Sequence, residues 1–128
     1  MKWDTTEIAQ VMDLAAAVGQ MEGDTDLLRE IVEIFVETAP EQLQVIETAI
    51  AAGDAARVAL VAHGMKGGAS NFCAERFVAA ARDLELQARS GNLETAPQLL
   101  ARMREGFADL DQVAAVINWE ELHRNWHG

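Results

Sequence analysis

Cysteine, basic residues and long apolar runs are what this sequence has least of, and each shortage narrows what it does. The single cysteine, Cys73, excludes an intramolecular disulfide and any cysteine-rich zinc site. Lysine and arginine number 10 against 21 acidic residues, for a formal net charge of −11. Binding to nucleic acid or to an anionic membrane needs a basic face, so both are disfavoured, although a small basic patch on an acidic body is not. No apolar run reaches the roughly 20 residues that cross a bilayer. The opening segment MKWDTTEIAQ has acids and amides where a secretory signal has a basic start and an apolar stretch, so the expected location is the cytoplasm. Alternating β-type runs, linkers, internal repeats and low-complexity stretches are also missing.

What is present is a chain 50% hydrophobic and 24% charged, enough for one globular domain over 1–128 with its core at about 13–115 and a tail at 117–128. Nearly every segment has helical periodicity. A weak first helix spans 5–20 with Ile8, Val11, Met12, Ala15 and Val18 as its apolar stripe, starting at the Asp4 cap or later near Asp13. A long second helix covers about 25–52, with Leu27, Leu28, Ile31, Val32, Phe35, Leu43, Ile46 and Ile50 inward. Pro40 must kink or restart it, and Thr38 with Glu41 has capping-box spacing for a restart. Gly53-Asp54 is a stop and a cap, followed by helices at about 55–70, 74–90 and 93–116. Pro97 is tolerable only in a first turn. Short connections make neighbours antiparallel, so the expected architecture is all-α: an antiparallel up-down four-helix bundle with an additional short N-terminal helix across one end. The tail NWEELHRNWHG has no clear period and is expected to dock loosely, anchored by Trp119 and Trp126.

The helix at 55–70 carries the functional signal. At about 100° per residue, Val58, Val61, Met65 and Ala69 gather on one side, and His63 falls roughly opposite them, facing water. Ala59 and Gly67 lie one turn to either side of the histidine, and Ala56 and Ser70 lie two turns away. An exposed helix face normally carries long charged side chains. This one is bare, and Gly64, Gly67 and Gly68 each cost a helix about 1 kcal/mol relative to alanine. Close approach by another protein is the simplest account. Lys66, three residues on, brings an ammonium beside the imidazole. A neutral imidazole is a good nucleophile near neutral pH, and a neighbouring cation balances charge on phosphoryl oxygens. No acid cluster is placed to hold magnesium, and GMKGGAS has the wrong order for a P-loop. Such a chain supplies the nucleophile, and a partner supplies metal and acid groups.

The stretch Ala62-His63-Gly64-Met65-Lys66-Gly67-Gly68-Ala69-Ser70-Asn71-Phe72 resembles the signature of histidine phosphotransfer (HPt) domains: a histidine, a lysine three on, a glycine immediately after, then small residues. Gly23-Asp24 with LLREIVEIFVETAP, and Ala-Ala-Arg-Asp-Leu-Glu at 80–85, are similar to the family's flanking helices, so the resemblance covers roughly 13–115. It implies a four-helix bundle and a phosphorelay carrier without turnover of its own. By position, His63 is the phosphoacceptor, Lys66 the phosphate-side cation, Gly67 the bare spot that admits a receiver domain, and Ser70 part of the docking surface. The implied partners are response-regulator receiver domains and a hybrid histidine kinase. The carrier needs no cofactor, since magnesium sits on the receiver. Cys73 stands where the family usually has glycine, and Met65 where leucine is more common.

Other readings remain open at this stage. The same bare face suits a helical module that docks on a receiver without transferring phosphate. The dimerising region of a histidine kinase needs an ATP-binding domain for which 128 residues leave no room, and a monomer is expected instead. A start at Met1 and a tail of its own favour a free-standing protein over a piece of a hybrid kinase. Arg76 and Arg82 are candidates for a basic rim. Cys73, near a helix start, reads as an inert turn residue before a reactive thiol. His123 and His127, four apart, have metal-ligand spacing but no third ligand.

Overall fold

A computed structural model describes residues 3–126, which form seven helices and no strand. These are α1 (Thr5–Val11), α2 (Leu14–Gln20), α3 (Thr25–Ala51), α4 (Ala55–Ser70), α5 (Glu75–Arg89), α6 (Ala96–Val116) and α7 (Trp119–Arg124). Helices α3 to α6 pack in a closed ring in which each touches the next and α6 returns to α3. This is the expected up-down four-helix bundle.

Local chemistry marks the boundaries. The side chains of Asp4, Asp13, Asp24, Asp54 and Asn118 each accept a hydrogen bond from the backbone N–H three residues on. Such caps contribute about 1 kcal/mol each. Gly23, Gly53 and Gly91 stop their helices with positive φ of 86°, 69° and 80°. Between the four long helices lies an apolar core that includes Leu28, Ile46, Met65, Phe77, Leu84 and Met103. Phe35 meets Phe72 and Phe77 edge-on, with ring centroids 5.1 and 5.3 Å apart.

Several sequence expectations are corrected. The segment 5–20 is two helices, because Met12 is extended and Asp13 caps a fresh start. The break shifts the helical phase, so Ala15 is exposed and Ala17 is buried. Pro40 neither ends nor restarts α3, which is one helix of 27 residues. Thr38 is no cap there: its hydroxyl donates to the Ile34 carbonyl at 2.9 Å. The buried sequence Phe35, Ala39, Leu43, Ile46 continues across the proline and holds the helix together despite the missing donor. Leu27, expected inward, is exposed. Pro97 does lie in the first turn of α6. The tail is more ordered than its sequence suggests: α7 forms, and Trp119, Leu122 and Trp126 pack against the core. Trp126 lies close over Gly23, where even a β-carbon would come within 2.6 Å of the indole Cδ1. No helix among the described residues is long and apolar enough to cross a membrane.

Candidate functional site

Helix α4 is flanked by α3 on one side and α5 on the other. Its buried residues are Val58, Ala59, Ala62, Met65 and Ala69, while Val61 is only half-buried. The inward stripe is therefore turned toward α5 relative to the sequence wheel. Ala59, expected in the bare strip, is buried, whereas Ala56, Gly64, Gly67 and Ser70 are exposed. His63 accordingly sits on the α5 flank of the exposed face rather than opposite the core, with its side chain 57% exposed.

That displacement gives the imidazole a partner. Nδ1 of His63 lies 2.9 Å from Oε2 of Glu85 on α5, whose side chain is only 6% exposed. Lys66 Nζ donates to the other oxygen, Oε1, at 2.7 Å. Arg89, one turn further along α5, pairs with Oε2 at 2.5 Å. The buried carboxylate is thus held by three donors, which is what makes its burial tolerable. The Lys66 hydrogen bond is the largest influence lowering the Glu85 pKa, joined by the His63 hydrogen bond and the Arg89 charge, and together they outweigh burial, which raises it. Glu85 is therefore ionised at neutral pH and can only accept. It follows that His63 carries its proton on Nδ1. The lone pair is then on Nε2, which has no hydrogen-bond partner among the described residues.

Beside this charged cluster the surface of α4 is open. A β-carbon added at Gly64 or Gly67 would meet nothing within 4 Å, whereas one at Gly68 would touch Phe35 at 3.4 Å. Gly68 thus lies against the Phe35 ring, and the other two border open space. Leu60, one turn before Gly64, is 72% exposed, and Ile34, one residue before the Phe35 that contacts Gly68, is also exposed on α3. Glu85, the acid that meets His63, is engaged by all three of its partners.

The remaining sequence candidates are placed as follows. Ser70 turns its hydroxyl back to the Lys66 carbonyl at 2.8 Å. Arg82 and Ser70 share a cleft with Gln20, Cys73 and Glu75. Arg76 is drawn away to Gln10 of α1, 3.0 Å from its amide oxygen, so it does not join Arg82 in a rim beside the histidine. Cys73 has φ of 57°, the left-handed conformation that glycine adopts most easily. Its thiol pKa is raised, by burial first and then by Asp13 and Glu75, so it is not an activated thiol. His123 Nδ1 pairs with the buried Thr25 hydroxyl at 3.0 Å, and His127 lies outside the described residues. Among the described residues no group of three or more His, Cys, Asp or Glu could hold a metal.

Sequence reasoning missed Glu85, Arg89, Leu60 and Ile34. For Glu85 a signal existed: it falls in the inward stripe Ala81, Leu84, Ala88, where an acid has to be explained by a partner.

Comparison with known proteins bears on the family and the fold. A family model described as Hpt domain matches residues 30–115. Among solved structures, the chain is similar to histidine-containing phosphotransfer protein B (HptB) from Pseudomonas aeruginosa PAO1, with a TM-score of 0.76 and 28% identity over 93% of this chain and 99% of that one. No curated protein matches the chain.

Proposed function

The chain belongs to the Hpt domain family, and from that membership we propose that it carries a phosphoryl group on Nε2 of His63, taking it from an aspartyl phosphate on one receiver domain and passing it to an aspartate on another. The observation that carries this reading is the asymmetry of the ring: Nδ1 is tied to a buried carboxylate, and Nε2, on a side chain 57% exposed, has no hydrogen-bond partner among the described residues. A nucleophile held in one tautomer and one orientation loses little entropy on attack.

The docking surface is the bare face itself. Gly64 and Gly67 let a partner's backbone come close, Leu60 and Ile34 offer apolar contact, and Lys66 and Arg89 attract an acidic pocket. Gly67 and Lys66 keep the roles that their positions imply. Ser70, tied to its own helix, serves as part of the small-residue floor. With the carboxylate beside His63 engaged by three cationic or N–H donors, this chain leaves magnesium and the acid groups to the receiver. It acts as a cytoplasmic monomer and carrier, without catalytic turnover, between a hybrid kinase and a response regulator.

The test is to incubate the protein with a phosphorylated receiver domain and magnesium and to map the label by mass spectrometry under conditions that preserve phosphohistidine. One acid-labile phosphoryl on His63, absent from His63→Gln, is the expected result. Uptake by His63→Gln equal to wild type would refute the assignment. Binding of the receiver with no label transferred would make the protein a docking module instead.

A further inference from the structure

The hydrogen bond between His63 and Glu85 has a consequence for the phosphorylated state that differs from its role in the resting one. Resting on the assignment of His63 as phosphoacceptor, we infer that Glu85 is a positioning residue that keeps the bound phosphoryl group transferable, by holding the proton on Nδ1 after Nε2 has been phosphorylated.

The chemistry is balanced as follows. In the forward step the Nε2 lone pair attacks phosphorus, the P–N bond forms, and the P–O bond to the receiver aspartate breaks with its electron pair going to the carboxylate. The Nδ1 proton stays where it is, so the product ring is a cation, a phosphoimidazolium. In the return step a receiver carboxylate oxygen attacks phosphorus, the P–N bond breaks, and its electron pair returns to Nε2. The leaving group is then a neutral imidazole. If Nδ1 has meanwhile lost its proton to water, the leaving group is an imidazolate anion, and transfer stalls. The useful lifetime of the carrier therefore depends on how firmly the Nδ1 proton is held.

Among the described residues, the groups that meet at this point are His63 and Lys66 from α4 and Glu85 and Arg89 from α5. Arg82, one turn earlier on α5, opens on the neighbouring cleft with Ser70, and α3 on the other flank makes no hydrogen bond or ion pair to any of them. The buried carboxylate lies 2.9 Å from Nδ1 and stabilises a ring cation directly. Lys66 and Arg89 oppose it, and both are bonded to that same carboxylate, which offsets one of their two charges. Before phosphorylation the cluster holds one negative and two positive charges; the surplus cation is available to the incoming phosphoryl oxygens.

The experiment uses the full chain phosphorylated chemically with phosphoramidate, a small donor that needs no receiver. The phosphohistidine is followed by 31P NMR from pH 5 to 10, and transfer to a magnesium-loaded receiver is measured across the same range. In Glu85→Gln, which keeps the size and an acceptor oxygen but not the charge, the ring should lose its proton about one to three pH units lower than in wild type, and the transfer profile should fall with it. Glu85→Asp should recover part of the shift. Lys66→Met removes a cation and should move the midpoint in the opposite direction. Coincident midpoints in wild type and Glu85→Gln would overturn the inference even if the variant transferred slowly at every pH, since a merely structural role scales the rate without moving the profile. Label found away from His63 would overturn the proposed function as well; label on His63 that transfers normally, with unmoved midpoints, would overturn this inference alone.

Discussion

Replacing Gly64 and Gly67 with alanine should make the fold more stable. Both lie within α4, and a β-carbon at either meets nothing within 4 Å. Nothing local offsets the helix penalty of glycine, which is about 0.8–1.0 kcal/mol in a helix interior. The full gain applies at Gly64, and somewhat less at Gly67, which sits in the last turn. The double variant should therefore gain about 1.5 kcal/mol, or about 5 °C in melting temperature for a domain of this size. Gly68→Ala is the comparison: its β-carbon would meet Phe35 at 3.4 Å, so its change should depart from the helix-propensity value that applies where the β-carbon meets nothing. Melting followed by circular dichroism measures all three. Receiver binding measures the other half of the argument, because a longer side chain in the same space, as in Gly67→Gln, should keep the fold and obstruct docking. Destabilisation by Gly64→Ala and Gly67→Ala would show that these glycines have a structural reason, and normal phosphoryl uptake by a well-folded Gly67→Gln would remove the docking reading of the bare face.

Three further outcomes follow from the same contacts. Because the folded-state pKa of Glu85 is depressed, the stability it contributes is present above the unfolded glutamate value of about 4.3 and is lost as pH falls below it through the folded value; denaturant titrations at pH 7, 5 and 3 should show a steeper acid loss in wild type than in Glu85→Gln, and parallel curves would contradict the ion-pair cluster. Cys73 holds φ of 57°, which costs an L-residue about 1–2 kcal/mol; after the lost thiol packing, Cys73→Gly should stabilise by up to about 1 kcal/mol while β-branched Cys73→Val destabilises by about 1–2 kcal/mol, and equal melting temperatures would argue against a strained turn. Truncation after Ile117 removes the packing of Trp119, Leu122 and Trp126 and the His123–Thr25 hydrogen bond, which should cost about 2–4 kcal/mol; phosphoryl uptake on His63 should survive at temperatures where the variant is folded, and its loss there would give the tail a functional role.

Much of this was legible in the sequence because the signals were redundant. Aspartate caps and glycine stops bracket the helices, and periodic apolar residues orient them, so the bundle follows from several independent cues. The glycines of α4 stand out because they violate the usual make-up of a helix surface, and His63 and Lys66 because they stand among them. What escaped was set by contacts between helices. Pro40 read as a break because local propensity cannot weigh the core that continues past it. The inward stripe of α4 was misplaced by a fraction of a turn because Val61 and Ala62 are both apolar, and only the neighbouring helices decide which is buried. Glu85 went unassigned although it sits within an apolar stripe, since two of its three partners lie 19 and 22 residues away on another helix.

The bare face of α4 is a single one, and His63 sits at its edge. On the proposed function, a receiver docked over Leu60, Gly64 and Gly67 covers the face that bears His63, so donor and acceptor would take turns. Traffic through such a carrier would be ping-pong, with the release of each partner as a step in every cycle. An excess of unphosphorylated donor would then compete with the acceptor for one berth. Relay output would be sensitive to the ratio of the two receivers, a property that would come from the shared face itself.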